Sequence, residues 1–339
     1  MKFAEKTSNE KGIALFLVLW VLTLLSVIVG EFCHTMRTEL NITRNFKEQT
    51  QAYYLAAAGV NAAIRELIKN TVMPREIKPS EDEAQEEKIE WRANTDIPAI
   101  SFSSGTFKVE IGNESGKINI NRAGEHLLKM MISHFDIEDS DKDMIMDSIL
   151  DWRDTDTLHR VNGAEDDYYL SLSQPYECKD ADFDSIEELR QVKGITPEIF
   201  ESLKEIVTVY VDTDSEGSAK NDKKQFDFNK ININAASPQV LKPLPGMTDE
   251  IIDEILEYRE KEDFKSVTEL LHLIDPEIYS EIAQYLSVEM SPIFTIRSVG
   301  TLEDSQTQEG VKVLIKIDRS LEKKYRILRW TDALEFQIR

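Results

Sequence analysis

The longest apolar run in the chain lies close to its N-terminus. From Gly12 to Gly30 there are 19 residues without a charge, centred on Ile13-Ala14-Leu15-Phe16-Leu17-Val18-Leu19-Trp20. As a helix this spans roughly 28 Å at ~1.5 Å per residue, about the thickness of a hydrocarbon core. Helical character continues beyond it. Glu31 to Asn70 holds no proline and only Gly59, and includes Ala56-Ala57-Ala58 and Ala62-Ala63. One helix over residues 13–70 is predicted, leaving a membrane and continuing into solvent. Lys2, Lys6 and Lys11 precede the run, a charge bias that keeps the N-terminus cytoplasmic and exports the rest. A cleaved secretory signal is the competing reading, but no small-x-small site follows the apolar run. A plain signal anchor is the other.

Beyond residue 70 the pattern changes. Pro74, Pro79 and Glu81-Asp82-Glu83 mark a solvated connection over 71–96. Between Ser101 and Asn121, Phe107, Val109 and Ile111 alternate with Lys108 and Glu110, the period of a strand with one buried face. Phe294–Arg297, Val311–Ile317 and Tyr325–Trp330 read the same way. Linker and first strands thus occupy 71–121, and closing strands 291–339. Strands on both sides of a helical middle, 122–290, predict an α+β fold: a long N-terminal membrane helix packed on one antiparallel sheet, with a large, mostly helical domain inserted between its strands.

The middle contains a repeat, over about 117–211 and 230–290. Lys117-Ile118-Asn119-Ile120-Asn121 matches Lys230-Ile231-Asn232-Ile233-Asn234, and Phe183-Asp184-Ser185-Ile186 matches Phe264-Lys265-Ser266-Val267. Thr196-Pro197-Glu198 and Asp275-Pro276-Glu277 read as N-caps with proline at the first helical position. The first two blocks lie 66 residues apart in the first copy and 34 in the second, so the first copy carries 32 extra residues. A polar linker, Asp212 to Asn229, joins the copies. Leu244-Pro245-Gly246-Met247-Thr248 and Val192-Lys193-Gly194-Ile195-Thr196 resemble helix-hairpin-helix turns. Thr248 and Thr196 replace the second glycine of that motif, and Asp249, Glu250, Asp253 and Glu254 follow the former, where a phosphate would be repelled. The reading is a retained fold with no nucleic-acid binding.

Charge supports that exclusion. Lys and Arg total 40 against 63 Asp and Glu, a net −23, whereas phosphate neutralisation needs a basic face. Cys33 and Cys178 are not expected to pair, the five histidines are scattered, and no nucleophile motif predicts an enzyme. The extra residues of the first repeat are the densest acidic stretch: Asp151-Trp152-Arg153-Asp154-Thr155-Asp156, then Asn162-Gly163-Ala164-Glu165-Asp166-Asp167-Tyr168-Tyr169. Hard oxygen ligands on a glycine-containing loop suit calcium, which takes about six to eight oxygens. The spacing is not that of an EF-hand, and a solvated loop paired with Arg153 and Arg160 is the alternative.

Two stretches resemble the K-type minor pseudopilins of the general secretion pathway. Gly12-Ile13-Ala14-Leu15-Phe16-Leu17-Val18-Leu19-Trp20-Val21-Leu22 is similar to their leader, and the block from Leu150 through Tyr169 to their most characteristic segment. The resemblance implies prepilin peptidase cleavage between Gly12 and Ile13, making 1–12 a leader, with methylation of the new N-terminus. It implies Leu17 in place of the glutamate usual at the fifth mature position, which suits a fibre tip. It implies inner-membrane anchoring with a periplasmic head, a pilin-like sheet, and I- and J-type minor pseudopilins as partners. The role implied is to initiate the type II secretion pseudopilus and limit its length. It also implies structural calcium, for which Asp154, Asp156, Glu165, Asp166 and Asp167 are the candidate ligands, with Asp151 in support. A minor pilin of a type IV pilus or uptake system is the alternative.

Overall fold

A computed structural model describes residues 8–72, 90–210 and 227–333. The first seven residues, the segment 73–89 and most of the linker at 212–229 lie outside the described residues.

Helix α1 runs from Ser8 to Val72, 65 residues, longer at both ends than the 13–70 expected. Its most apolar 18-residue window has mean hydropathy 2.8 and none of it is buried, so it is long and apolar enough to cross a membrane. From Ala52 onward one face of the same helix becomes core: Ala52, Ala56, Val60 and Ala63 are fully buried. Alanine at these positions lets the backbone approach a sheet, while Leu55, Ile64 and Leu67 fill the edges of the contact.

That sheet has five antiparallel strands in the order β1-β2-β7-β8-β9. They are β1 (Ile100–Phe102), β2 (Gly105–Asn113), β7 (Ile293–Leu302), β8 (Gln308–Ile317) and β9 (Tyr325–Ala333). The period-two alternation has its expected consequence. Phe107, Val109 and Ile111 of β2 join Ile296, Val311, Val313 and Ile315 beneath α1 in one cluster. A Cβ on Gly300 would collide with the Ala52 carbonyl and the Ala56 amide, so β7 can touch α1 only through a residue without a side chain.

Between Asn113 and Ile293 the chain leaves the sheet and builds a second core from both repeats, running from Ile118 to Leu286. Its elements are β3 (Ile118–Asn119), α2 (Glu125–Ser133), α3 (Asp139–Arg153), α4 (Asp166–Tyr169), α5 (Pro197–Leu203), β4 (Val207–Thr208), β5 (Ile231–Asn232), α6 (Pro238–Leu241), α7 (Asp249–Lys261), α8 (Pro276–Ile282) and β6 (Leu286–Ser287). Each repeat closes through a two-residue parallel pair, β3 with β4 and β5 with β6.

Repeat asparagines serve as backbone partners. Asn121 Oδ1 accepts from the Phe183 amide at 2.8 Å, and its Nδ2 donates to the Phe183 carbonyl at 2.9 Å. Asn234 makes the same two bonds to Phe264. Asn119 and Asn232 accept from the amides of Asn121 and Asn234 at 3.0 and 2.9 Å. An asparagine that donates and accepts at once satisfies a loop that has no strand partner.

The exit and return points are tied together. Asn113 Nδ2 donates to the Ser291 carbonyl at 2.9 Å, while its Oδ1 accepts from the Ser115 and Ser291 amides. Beside it Glu114 is buried and pairs with Lys117 at 2.8 Å, and Thr295 of β7 donates to it at 2.5 Å. Burial pushes its pKa up, but Lys117 and the hydroxyls of Thr208 and Thr295 outweigh this and hold it below the usual carboxylate range.

Candidate functional site: an acidic pocket in the first repeat

The structure superposes a further pair of blocks, Ile149-Leu150-Asp151-Trp152-Arg153-Asp154 and Ile255-Leu256-Glu257-Tyr258-Arg259-Glu260. Arg153 donates to the carbonyls of Ile120 and Ala123. Arg259 donates to those of Ile233 and Ala236 at 2.8 and 2.7 Å. Desolvation pushes both guanidinium pKa values down to about 10. Trp152 stacks on Phe183 and Tyr258 on Phe264. Arg153 is thus a structural arginine, not the counter-ion of the acidic loop. Most of the 32 extra residues fall after it, between Asp154 and Phe183.

This segment folds over Asp151, which is fully buried at the end of α3. Its carboxylate accepts from the amides of Arg160 and Ala164 and from the Arg160 guanidinium at 2.5 Å. One turn earlier, Asp147 accepts from the Asn162 backbone and side chain at 3.1 and 3.0 Å. A Cβ on Gly163 would overlap the Asp151 carboxylate, so the close pass requires glycine. Lys193 Nζ, from the helix-hairpin-helix turn, donates to the Gly163 carbonyl at 3.0 Å.

Carboxylates from three loop segments converge beneath this arch. Asp154, Asp156 and Glu165 can place one oxygen each within 4.8 Å of one another, and so can one ligand atom each of Glu165, Cys178 and Asp180. Glu165 is shared and only 3% exposed. Both its oxygens, with Asp154 Oδ1 and Asp180 Oδ1, are buried without a hydrogen bond of normal geometry. Burial pushes the Glu165 carboxyl up to about 7; Asp180, Asp151 and Asp154 add repulsion, against a weak Cys178 interaction. Burial likewise raises the Cys178 thiol and keeps it protonated. Asp180 takes a left-handed φ of 49° to face the group.

Of the five residues expected to bind a metal, the structure gathers Asp154, Asp156 and Glu165. Asp166 and Asp167 lie outside both groupings: Asp166 accepts from the Cys178 amide at 2.7 Å, and exposed Asp167 from the Tyr168 amide at 2.9 Å. They occupy the first turn of α4, where carboxylates favour the helix dipole. Asp180 was not found by sequence reasoning, since 15 residues separate it from Glu165. Orphaned hard oxygens in a buried, all-carboxylate pocket fit a divalent cation, and the group can hold a metal ion. The cleavage pair Gly12 and Ile13 lies within α1, exposed.

An apolar N-terminal helix laid on an antiparallel sheet defines a pilin-like protein with an inserted helical head. Comparisons agree. Residues 110–212 match the family model described as "Type II secretion system (T2SS), protein K", and residues 227–287 match one for the helix-hairpin-helix motif. The type II secretion system protein K of Aeromonas hydrophila is 23% identical over 205 residues, 58% of this chain. That of Pectobacterium carotovorum subsp. carotovorum is 24% identical over 206 residues, also 58% of this chain. Each alignment spans 62% of the relative's length. The structure of the GspK-GspI-GspJ complex from enterotoxigenic Escherichia coli contains a chain with the same fold: TM-score 0.57, 18% identity, covering 86% of this chain and 99% of that one. The chain belongs to the type II secretion system protein K family. That family is structural rather than enzymatic.

Proposed function

We propose that the chain is a minor pseudopilin at the tip of the type II secretion pseudopilus, where it initiates assembly and limits length during protein export. One observation carries the reading. A single helix is apolar and exposed along its first half and becomes the core of a sheet along its second, so the membrane segment and the head are one rigid body. A bare apolar helix can leave the bilayer only by packing on similar helices. The 180-residue excursion between Asn113 and Ile293 adds bulk that would obstruct a subunit above it.

Under this reading prepilin peptidase cuts between Gly12 and Ile13, α1 anchors the chain singly in the inner membrane, and the head is periplasmic. The partners are I- and J-type minor pseudopilins, as in the E. coli complex. Asp154, Asp156, Glu165 and Asp180 hold calcium, which supplies positive charge where four carboxylates otherwise repel. The protein's own contribution is the arch: Asp151, Gly163 and Lys193 hold the loop that carries these ligands.

Deleting the gene should abolish export of secreted proteins while leaving twitching and DNA uptake intact. The reverse pattern would assign the chain to a type IV pilus or uptake system. Mass mapping of the mature protein should start it at Ile13; retention of residues 1–12 in cells with an active peptidase would refute the processing step.

A further inference from the structure

The helix layer over the sheet is incomplete on one side. α1 lies over β7, its neighbours β2 and β8 receiving its flanks. β9 sits two strands from β7, roughly 9.6 Å away at ~4.8 Å per strand. Its register with β8 pairs Tyr325 with Ile317, Ile327 with Ile315 and Trp330 with Val313. These β8 residues belong to the core under α1, so the three β9 side chains share the helix-facing side of the sheet. Yet Ile327 is 44% and Trp330 37% exposed. The other face of β9 has cover: Arg329 pairs with Glu187 of the inserted head at 3.1 Å.

The flank of α1 beside this floor is smooth. Tyr53, Ala57, Ile64 and Ile68 recur at helical spacing along it, with Tyr53 against Trp330 and Asp332. Exposed Phe46 extends the stripe towards the membrane end. Packed helices sit about 8–10 Å apart, so a helix laid beside α1 would be centred over β9. The opposite edge offers no equal, since β1 has only three residues.

We infer that the groove between α1 and the helix-facing side of β9, floored by Tyr325, Ile327 and Trp330, seats the apolar N-terminal helix of a neighbouring minor pseudopilin. The inference rests on the proposed function and adds to it the surface used. A free strand edge would take a strand; an uncovered apolar floor one helix-width from an existing helix takes a helix.

The test uses the full-length chain in membranes, carrying Cys33→Ser and Ile327→Cys and expressed with I- and J-type partners. Each partner carries a single cysteine scanned along its N-terminal helix. Disulfide cross-links should recur every three or four positions on one partner's helix. Separately, Ile327→Glu should lower recovery of that partner about tenfold without moving the thermal transition of the isolated chain. Co-purification of all three proteins with no cross-link to position 327 overturns the inference and leaves the proposed function standing. Cross-links to a partner strand at every second position, or solely between two copies of this chain, overturn it as well. Failure of the three to associate overturns both.

Discussion

Asn234→Ala tests how the repeats are held together. Asn234 is 4% exposed and is the sole side chain bonded to the Phe264 backbone among the described residues, accepting at 2.8 Å and donating at 2.9 Å. Phe264 is itself 2% exposed, so truncation strands one amide and one carbonyl away from water. Each unsatisfied group costs about 1–3 kcal/mol, which puts the variant roughly 2–6 kcal/mol below the parent. At about 2–4 °C per kcal/mol for a domain of this size, the melting transition falls by roughly 5–20 °C. Asn121→Ala, which also loses a bond to the Val209 carbonyl at 3.1 Å, should cost at least as much. Asn234→Asp keeps the acceptor but sets a carboxylate against the Phe264 carbonyl, and should be no better. Exposed Gln239→Ala is the control, expected within about 0.5 kcal/mol of the parent. Thermal and urea unfolding of the detergent-solubilised chain would measure all four. If Asn234→Ala and Asn121→Ala melt with Gln239→Ala, the asparagines do not clamp the repeats and the reasoning is wrong.

Three further outcomes follow from the same structure. Calcium titrated into the metal-free chain should raise its melting temperature, and Glu165→Gln should abolish the response; an unchanged response would remove Glu165 from the ligands. Gly300→Val places a side chain against the Ala52 carbonyl and the Ala56 amide and should cost more than about 3 kcal/mol; near-parental urea stability would mean α1 does not dock as described. Glu114 has a folded pKa below its unfolded value, so its contribution is present above the unfolded pKa and lost as pH falls through the folded one. Acid unfolding of Glu114→Gln should therefore show a shallower loss below pH ~4.5 than the parent; parallel curves would contradict the buried pair with Lys117.

Much of the site was legible because its chemistry is local. Asp154, Asp156 and Glu165 belong to a dense acidic block, and only carboxylates in such numbers suit a hard cation. Asp180 was not legible: it is one aspartate among many, brought to Glu165 by a left-handed turn. Asp166 and Asp167 sit in the same block yet serve the first turn of α4, because adjacent residues on a helix diverge by about 100°. Arg153 and Arg259 were present in the sequence as matched Trp-Arg and Tyr-Arg pairs, but as charges in an acidic chain they resembled surface counter-ions. Their role as donors to buried carbonyls emerged once the repeats were superposed.

The sequence by itself determined the apolar anchor, the alternating strands and the two copies of the middle, since each depends on a period short enough to read along the chain. Tertiary structure decided which carboxylates meet, which glycines permit contact and which flank of the sheet stays bare. Those depend on where separate segments come to rest, and the placement follows from packing of two cores rather than from any local run of residues.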